Sequence, residues 1–200
     1  MENIRKKMLL LGWLCMWTVF SWGQGLTLQE FNQQRLQRTK VSMMILGGWA
    51  VGNMAVGGVL AGQREGEDKY FHQMNLGWNV VNLSLATLGY ISAVKADPST
   101  FDLEATLSAH HGIQKTLLFN GGLDIGYMLG GLYLMERSKN TEKNPERLKG
   151  FGKSIILQGA FLFVFDLAAY FVHASHNKDL SPLLSGLYFN GEQLGLVLRF

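Results

Sequence analysis

The chain has 200 residues, with 18 Lys and Arg against 15 Asp and Glu, for a formal charge of +3 at pH 7. Hydrophobic residues make up 48% of it, yet mean hydropathy is only +0.08, so apolarity is gathered into segments rather than spread evenly. The single cysteine excludes a disulfide framework, and no basic stripe interleaved with aromatics marks a nucleic-acid surface, so no nucleic-acid partner is expected.

Residues 1–23 read as a signal peptide. Arg5, Lys6 and Lys7 form a basic start, Met8 to Phe20 an apolar run, and Ser21 and Gly23 the small positions that a signal peptidase reads. Cleavage is expected before Gln24. Cys15 lies within the apolar run behind the bulky Leu14, which argues against lipid attachment and leaves the mature chain without a thiol.

The mature start, residues 24–40, reads as a helical extension. Thr27-Leu28-Gln29-Glu30 has the capping-box pattern of a helix N-terminus. Nothing breaks the helix before Gly62, so a helix of about 35 residues is expected to run from there into the first of four apolar segments. Those segments are 41–62, 69–94, 113–135 and 150–173, each of the ~20 residues needed to cross a bilayer core as a helix. The short link 63–68 makes the first two antiparallel neighbours. Asp97-Pro98-Ser99-Thr100 stops the second helix and offers a cap, and residues 101–111 read as a short external helix leading into the third segment.

The tail, residues 174–200, differs in kind. Pro182 is expected to break any helix, and the apolar runs 183–189 and 193–200 flank Asn190-Gly191, a preferred hairpin turn. The fold class expected is therefore an all-α membrane protein, a four-transmembrane-helix bundle over 41–173 with a short C-terminal β-hairpin. A signal-like start places the next residues outside, and loop 136–149 carries Arg137, Lys139, Lys143, Arg147 and Lys149. Both place that loop in the cytoplasm and the mature N- and C-termini of a multi-pass protein outside.

Polar residues inside the apolar segments mark the candidate site. Asn75, Asn79 and Asn82 stand at i, i+4 and i+7, and Asn120, Asp124 and Tyr127 repeat that spacing. At ~100° per residue each trio spans an arc of about 60° on one helix face. Gln158, Asp166, Tyr170 and His173 share a wider arc of the last segment, and Asn53 marks the first. An unpaired amide or carboxylate is costly in hydrocarbon, so these groups should meet inside the bundle. The function expected is that of a structural or partner-binding membrane bundle, with the cluster Asp124, Asp166, Asn120, Asn79, Asn82, Asn53, Gln158 and Tyr127 as hydrogen-bonded glue; the alternative is that this cluster binds or transports a proton, a cation or a small polar ligand.

His110, His111, His173 and His176 fall at one end, where imidazoles can take zinc or copper, with Glu104 or Asp102 in support. No other cofactor is expected. No phosphate-binding loop, His-Glu-x-x-His, Gly-x-Ser-x-Gly or cysteine nucleophile is present, so the reading leans away from an enzyme. Glycine counts 24 of 200, and Gly48-x3-Gly52, Gly58-x3-Gly62 and Gly122-x3-Gly126-x3-Gly130 form small-residue ridges suited to close helix packing within the chain or in a homo-oligomer. The partners expected are the lipid bilayer, a second copy through these ridges, and an envelope protein.

The runs FHQMNLGWNVVNLSLA (71–86), LLFNGGLDIGYMLGG (117–131) and LQGAFLFVFDLAAY (157–170), with the LQEFNQQRL start, resemble a family of small uncharacterised membrane proteins of Bacteroidota. The resemblance implies a helical protein of the bacterial inner (cytoplasmic) membrane, multi-pass, which makes the external mature N- and C-termini periplasmic, and it implies a domain of unknown function. It carries no assigned reaction and no functional residue.

Overall fold

A computed structural model describes residues 26–184, 187–189 and 194–196. The signal-peptide reading, Cys15 and the Asn190-Gly191 turn lie outside the described residues. Residues 28–178 form one compact unit, and the residues from Asp179 onward fall in a second.

The first unit is built on four long helices: α1 (Leu28–Gln63), α2 (Gly66–Lys95), α3 (Leu103–Ser138) and α4 (Pro145–Ala174). α1 is the uninterrupted helix expected, because neither proline nor a turn cluster intervenes. It turns into α2 at Gly66, whose φ of 57° falls in the left-handed region that favours glycine. Asp97 caps only a single 3-10 turn, Pro98–Thr100, accepting from the Ser99 amide at 2.9 Å. The cap of α3 is Asp102, which accepts from the Ala105 amide at 2.8 Å. The separate external helix expected over 101–111 therefore does not exist; it is the first part of α3, since Gly112 alone does not stop a helix with apolar residues on both sides. Pro145 opens α4 at its first turn, where a missing amide hydrogen is harmless. The loop between α3 and α4 is consequently shorter than the 136–149 expected.

α1 packs on α2 and α3 packs on α4, and the two pairs join mainly through α2 and α4. The centre of this arrangement is polar and its outside apolar. Asn75, Asn79, Asn82, Asp124, Ser154, Gln158 and Asp166 are buried, while Val81, Leu88, Phe119, Leu129, Val164 and Phe171 are exposed. The buried apolar cluster is small: Leu46, Ala86 and Phe165, flanked by Met43, Phe161 and Leu162.

Two parts of the expected fold class are corrected. Among the described residues two helical stretches, Leu28–Gln63 and Pro145–Leu180, are long and apolar enough to cross a membrane, not four. α2 and α3 fall short because residues that turn inward are polar: Asn75, Asn79 and Asn82 on one, and His110, Gln114 and Asp124 on the other. The C-terminal hairpin is not an element of the fold either. Pro182 lies inside a short helix, α5 (Asn177–Leu184), which consumes the start of the first apolar run. Past α5, Leu187–Phe189 pairs with Leu194–Leu196 over three residues, too few to stand as an independent hairpin.

Candidate functional site

The asparagine ladder of α2 meets α4 through side chains spaced one turn apart. Asn75 Oδ1 accepts from Ser154 Oγ at 2.7 Å and from Gln158 Nε2 at 2.9 Å. Trp49 Nε1 of α1 donates to Gln158 Oε1 at 3.0 Å, tying a third helix into the chain of bonds. Asn79 Nδ2 donates to the Asn75 carbonyl at 2.8 Å, and Asn82 Nδ2 to Asn79 Oδ1 at 3.2 Å. The segment is closed on itself: each amide finds a protein partner, as burial demands. Gly150 and Gly159 permit it. A Cβ on Gly150 would strike the backbone of Glu67 and Phe71, and one on Gly159 would come 3.0 Å from the Asp124 carbonyl, so α4 lies directly against α2 and α3.

Beyond Asn82 the interior changes character. Asp124 of α3 and Asp166 of α4 are buried on facing helices and border the same cavity. They line a cavity of about 160 Å³ with Asn82, Asn120, Trp78 and Tyr127, the Trp78 and Tyr127 rings meeting edge to face at 4.9 Å. Asp124 Oδ2 is buried without a hydrogen-bond partner. An unpartnered carboxyl oxygen beside a cavity is ready to accept from a ligand.

The eight residues of the expected cluster are thus divided. Asp124, Asp166, Asn120, Asn82 and Tyr127 share the cavity wall, whereas Asn79 and Gln158 belong to the closed amide network. Asn53 joins neither; its Nδ2 donates back to the Trp49 carbonyl of its own helix at 2.9 Å. Trp49, Ser154 and Trp78 complete the arrangement without having been singled out from the sequence. Ser154 was legible in principle, since Gly150, Ser154 and Gln158 recur at four-residue spacing along one face of α4.

At the opposite end of this row His110, His173 and His176 converge, all fully or almost fully buried, while His111 is exposed. Phe31 stacks on His176 at 4.0 Å and meets His110 edge-on at 5.1 Å. His110 Nε2 lies 2.6 Å from Asn177 Oδ1 and 2.8 Å from the Gln114 amide. Among the described residues no group of three or more His, Cys, Asp or Glu side chains is arranged to hold a metal ion. Asp102 is occupied as a helix cap, and Glu104 lines a separate surface cavity with His111.

On the far side Glu67 bridges Lys149, at 2.7 Å, and Lys153. Hydrogen bonds from Lys149 and then Lys153 hold its carboxyl below the usual glutamate range.

The ridges Gly48/Gly52, Gly58/Gly62 and Gly122/Gly126/Gly130 have open space where a Cβ would be, so they do not mediate the close packing within the chain. That role falls to Gly57, Gly131, Gly150, Gly152 and Gly159. Comparison with curated proteins and with solved structures gives no match. Residues 45–167, which carry the amide network, both aspartates and the packed glycines, match a family of unknown function (DUF6992), and the chain belongs to that family.

Proposed function

We propose that this is an integral membrane protein whose interior binds a proton or a small cation at the Asp124–Asp166 pair. The observation that carries the reading is the pair itself: two buried carboxyls from different helices on one cavity wall, with one oxygen unpartnered. A purely structural network would leave no buried polar atom unpartnered, and the side chains of Asn75, Ser154 and Gln158 leave none. The membrane placement is supported by the inverted distribution of polarity and by α1 and α4, the two helices suited to crossing a bilayer. The basic loop after α3 favours the cytoplasmic membrane and a cytoplasmic side for that loop.

Trp78, on the cavity wall, is a built-in reporter. Its fluorescence in detergent-solubilised protein, taken as the difference from Trp78→Phe, is expected to change on titration with pH, Na+ or K+. Asp124→Asn and Asp166→Asn should abolish the change while helicity is kept. An unchanged response in both variants sinks the carboxylate-site reading.

A second reading, a structural or partner-binding bundle, is favoured by the closed amide network and by the outward glycine ridges, which leave small-residue surfaces for a second copy or an envelope protein. Gly126→Val should lower the molecular mass seen by light scattering if that ridge joins two copies, and leave it unchanged otherwise.

A further inference from the structure

α1 and α4 touch little, because each packs chiefly on another helix, and between them runs a groove of about 420 Å³. That lies within the ~300–1,000 Å³ usual for small-molecule sites. Buried Phe165 and Ala169 form its floor, and Val41, Ile45, Val164 and Val172 its walls. The small side chains Ser42 and Ala168 keep it open.

Arg38 is the only charged residue on the lining. Its Nη1 donates to the Val172 carbonyl at 2.6 Å and lies 3.4 Å from Ser175 Oγ, which fixes the guanidinium at the groove. Among the described residues no carboxylate pairs with Arg38, and its Nη2 and Nε make no hydrogen bond. A guanidinium with free donors in a planar fork matches a phosphate oxygen pair, and the apolar channel beside it matches a hydrocarbon chain.

We infer that the groove between α1 and α4 is a binding site for an anionic phospholipid, its acyl chain lying along Val41, Ile45, Val164 and Val172 and its phosphate held by Arg38. This rests on the membrane placement proposed above. Charge complementarity selects the occupant: a zwitterionic lipid offers the same chain, but its own cation competes with Arg38 for the phosphate.

The test is native mass spectrometry of the detergent-solubilised full chain, given equal phosphatidylglycerol and phosphatidylcholine. The wild type should retain the anionic lipid by about fivefold over the zwitterionic one, the worth of one basic residue facing an anionic lipid. Arg38→Gln, which keeps a donor for the Val172 carbonyl, should reduce the ratio to near one, and Arg38→Lys should restore much of it. Ala168→Phe, at an exposed lining position, should lower retention of both lipids. Equal retention in the wild type, or a ratio unchanged in Arg38→Gln, overturns the inference. Displacement of the lipid by excess inorganic phosphate, with Ala168→Phe without effect, overturns it in favour of a bare anion site. Carbonate extraction of host membranes reports the placement separately. Protein that stays in the pellet but shows no Arg38-dependent preference loses the groove alone, and protein released to the supernatant loses both.

Discussion

Gly131 of α3 and Gly152 of α4 face each other so closely that a Cβ on either would meet the other's carbonyl oxygen, at 2.7 Å from Gly131 and 2.6 Å from Gly152. Neither neighbour is a flexible side-chain tip, so the helices must move apart to admit a methyl group. Gly131→Ala and Gly152→Ala should each destabilise the bundle by about 1–3 kcal/mol, the usual cost of overpacking. Gly126→Ala, with open space around its Cα, should be neutral or stabilising by up to ~1 kcal/mol through helix propensity. Thermal unfolding in detergent, followed by circular dichroism, checks the contrast. Equal losses at all three positions would show that these glycines serve something other than packing.

Asn75→Ala should cost about 1–3 kcal/mol, because Ser154 Oγ and Gln158 Nε2 lose their common acceptor inside the bundle. Gln158→Ala removes one of the same bonds, so the double variant should be less damaged than the sum of the singles, by at least ~0.5 kcal/mol. Additive losses in chemical denaturation would mean that the two amides act independently.

Asp102→Ala should destabilise by about 0.5–2 kcal/mol, the range for loss of an N-cap acceptor. The effect should be local. Hydrogen exchange should quicken for the first turn of α3 and stay unchanged near Asp124.

Glu67 lies on one helix and its lysine partners on another, so its ion pairs tie α2 to α4. Its carboxyl is held below the ordinary value of 4.5 in the folded protein, so the unfolded chain takes up a proton first as pH falls. The contribution is therefore complete above the ordinary glutamate value and is lost as pH drops through the folded one. Glu67→Gln should be less stable than the wild type at neutral pH, and the gap in thermal midpoint should close in acid. The carboxylate and both lysines are partly solvated, so added salt should narrow the gap as well.

Local signals in the sequence determined the helices and which faces turn inward. The absence of any breaker from Leu28 to Gly62 gave a helix that ends at Gln63, and the i, i+4, i+7 asparagines gave a face that is buried. Both follow from a 3.6-residue period and from the cost of leaving amides unpaired. Sequence also marked Asp124 and Asp166 as members of one cluster, because each lies on such a face. It could not divide that cluster. Asn79 and Asn82 are three residues apart on the same face, yet one sits in the closed network and the other also reaches the cavity, a difference set by where α3 and α4 place Asp124 and Asp166. Apolar length overstated the number of spans, since averaging over a segment hides the inward polar stripe that lowers α2 and α3. The glycine ridges misled for a related reason: spacing says that glycines share a face, but only the docking of one helix on another decides whether that face meets a neighbour. The tertiary structure alone placed Gly131 against Gly152, joined Trp49 to Gln158 and opened the groove beside Arg38, because each depends on the separation of helices distant in sequence.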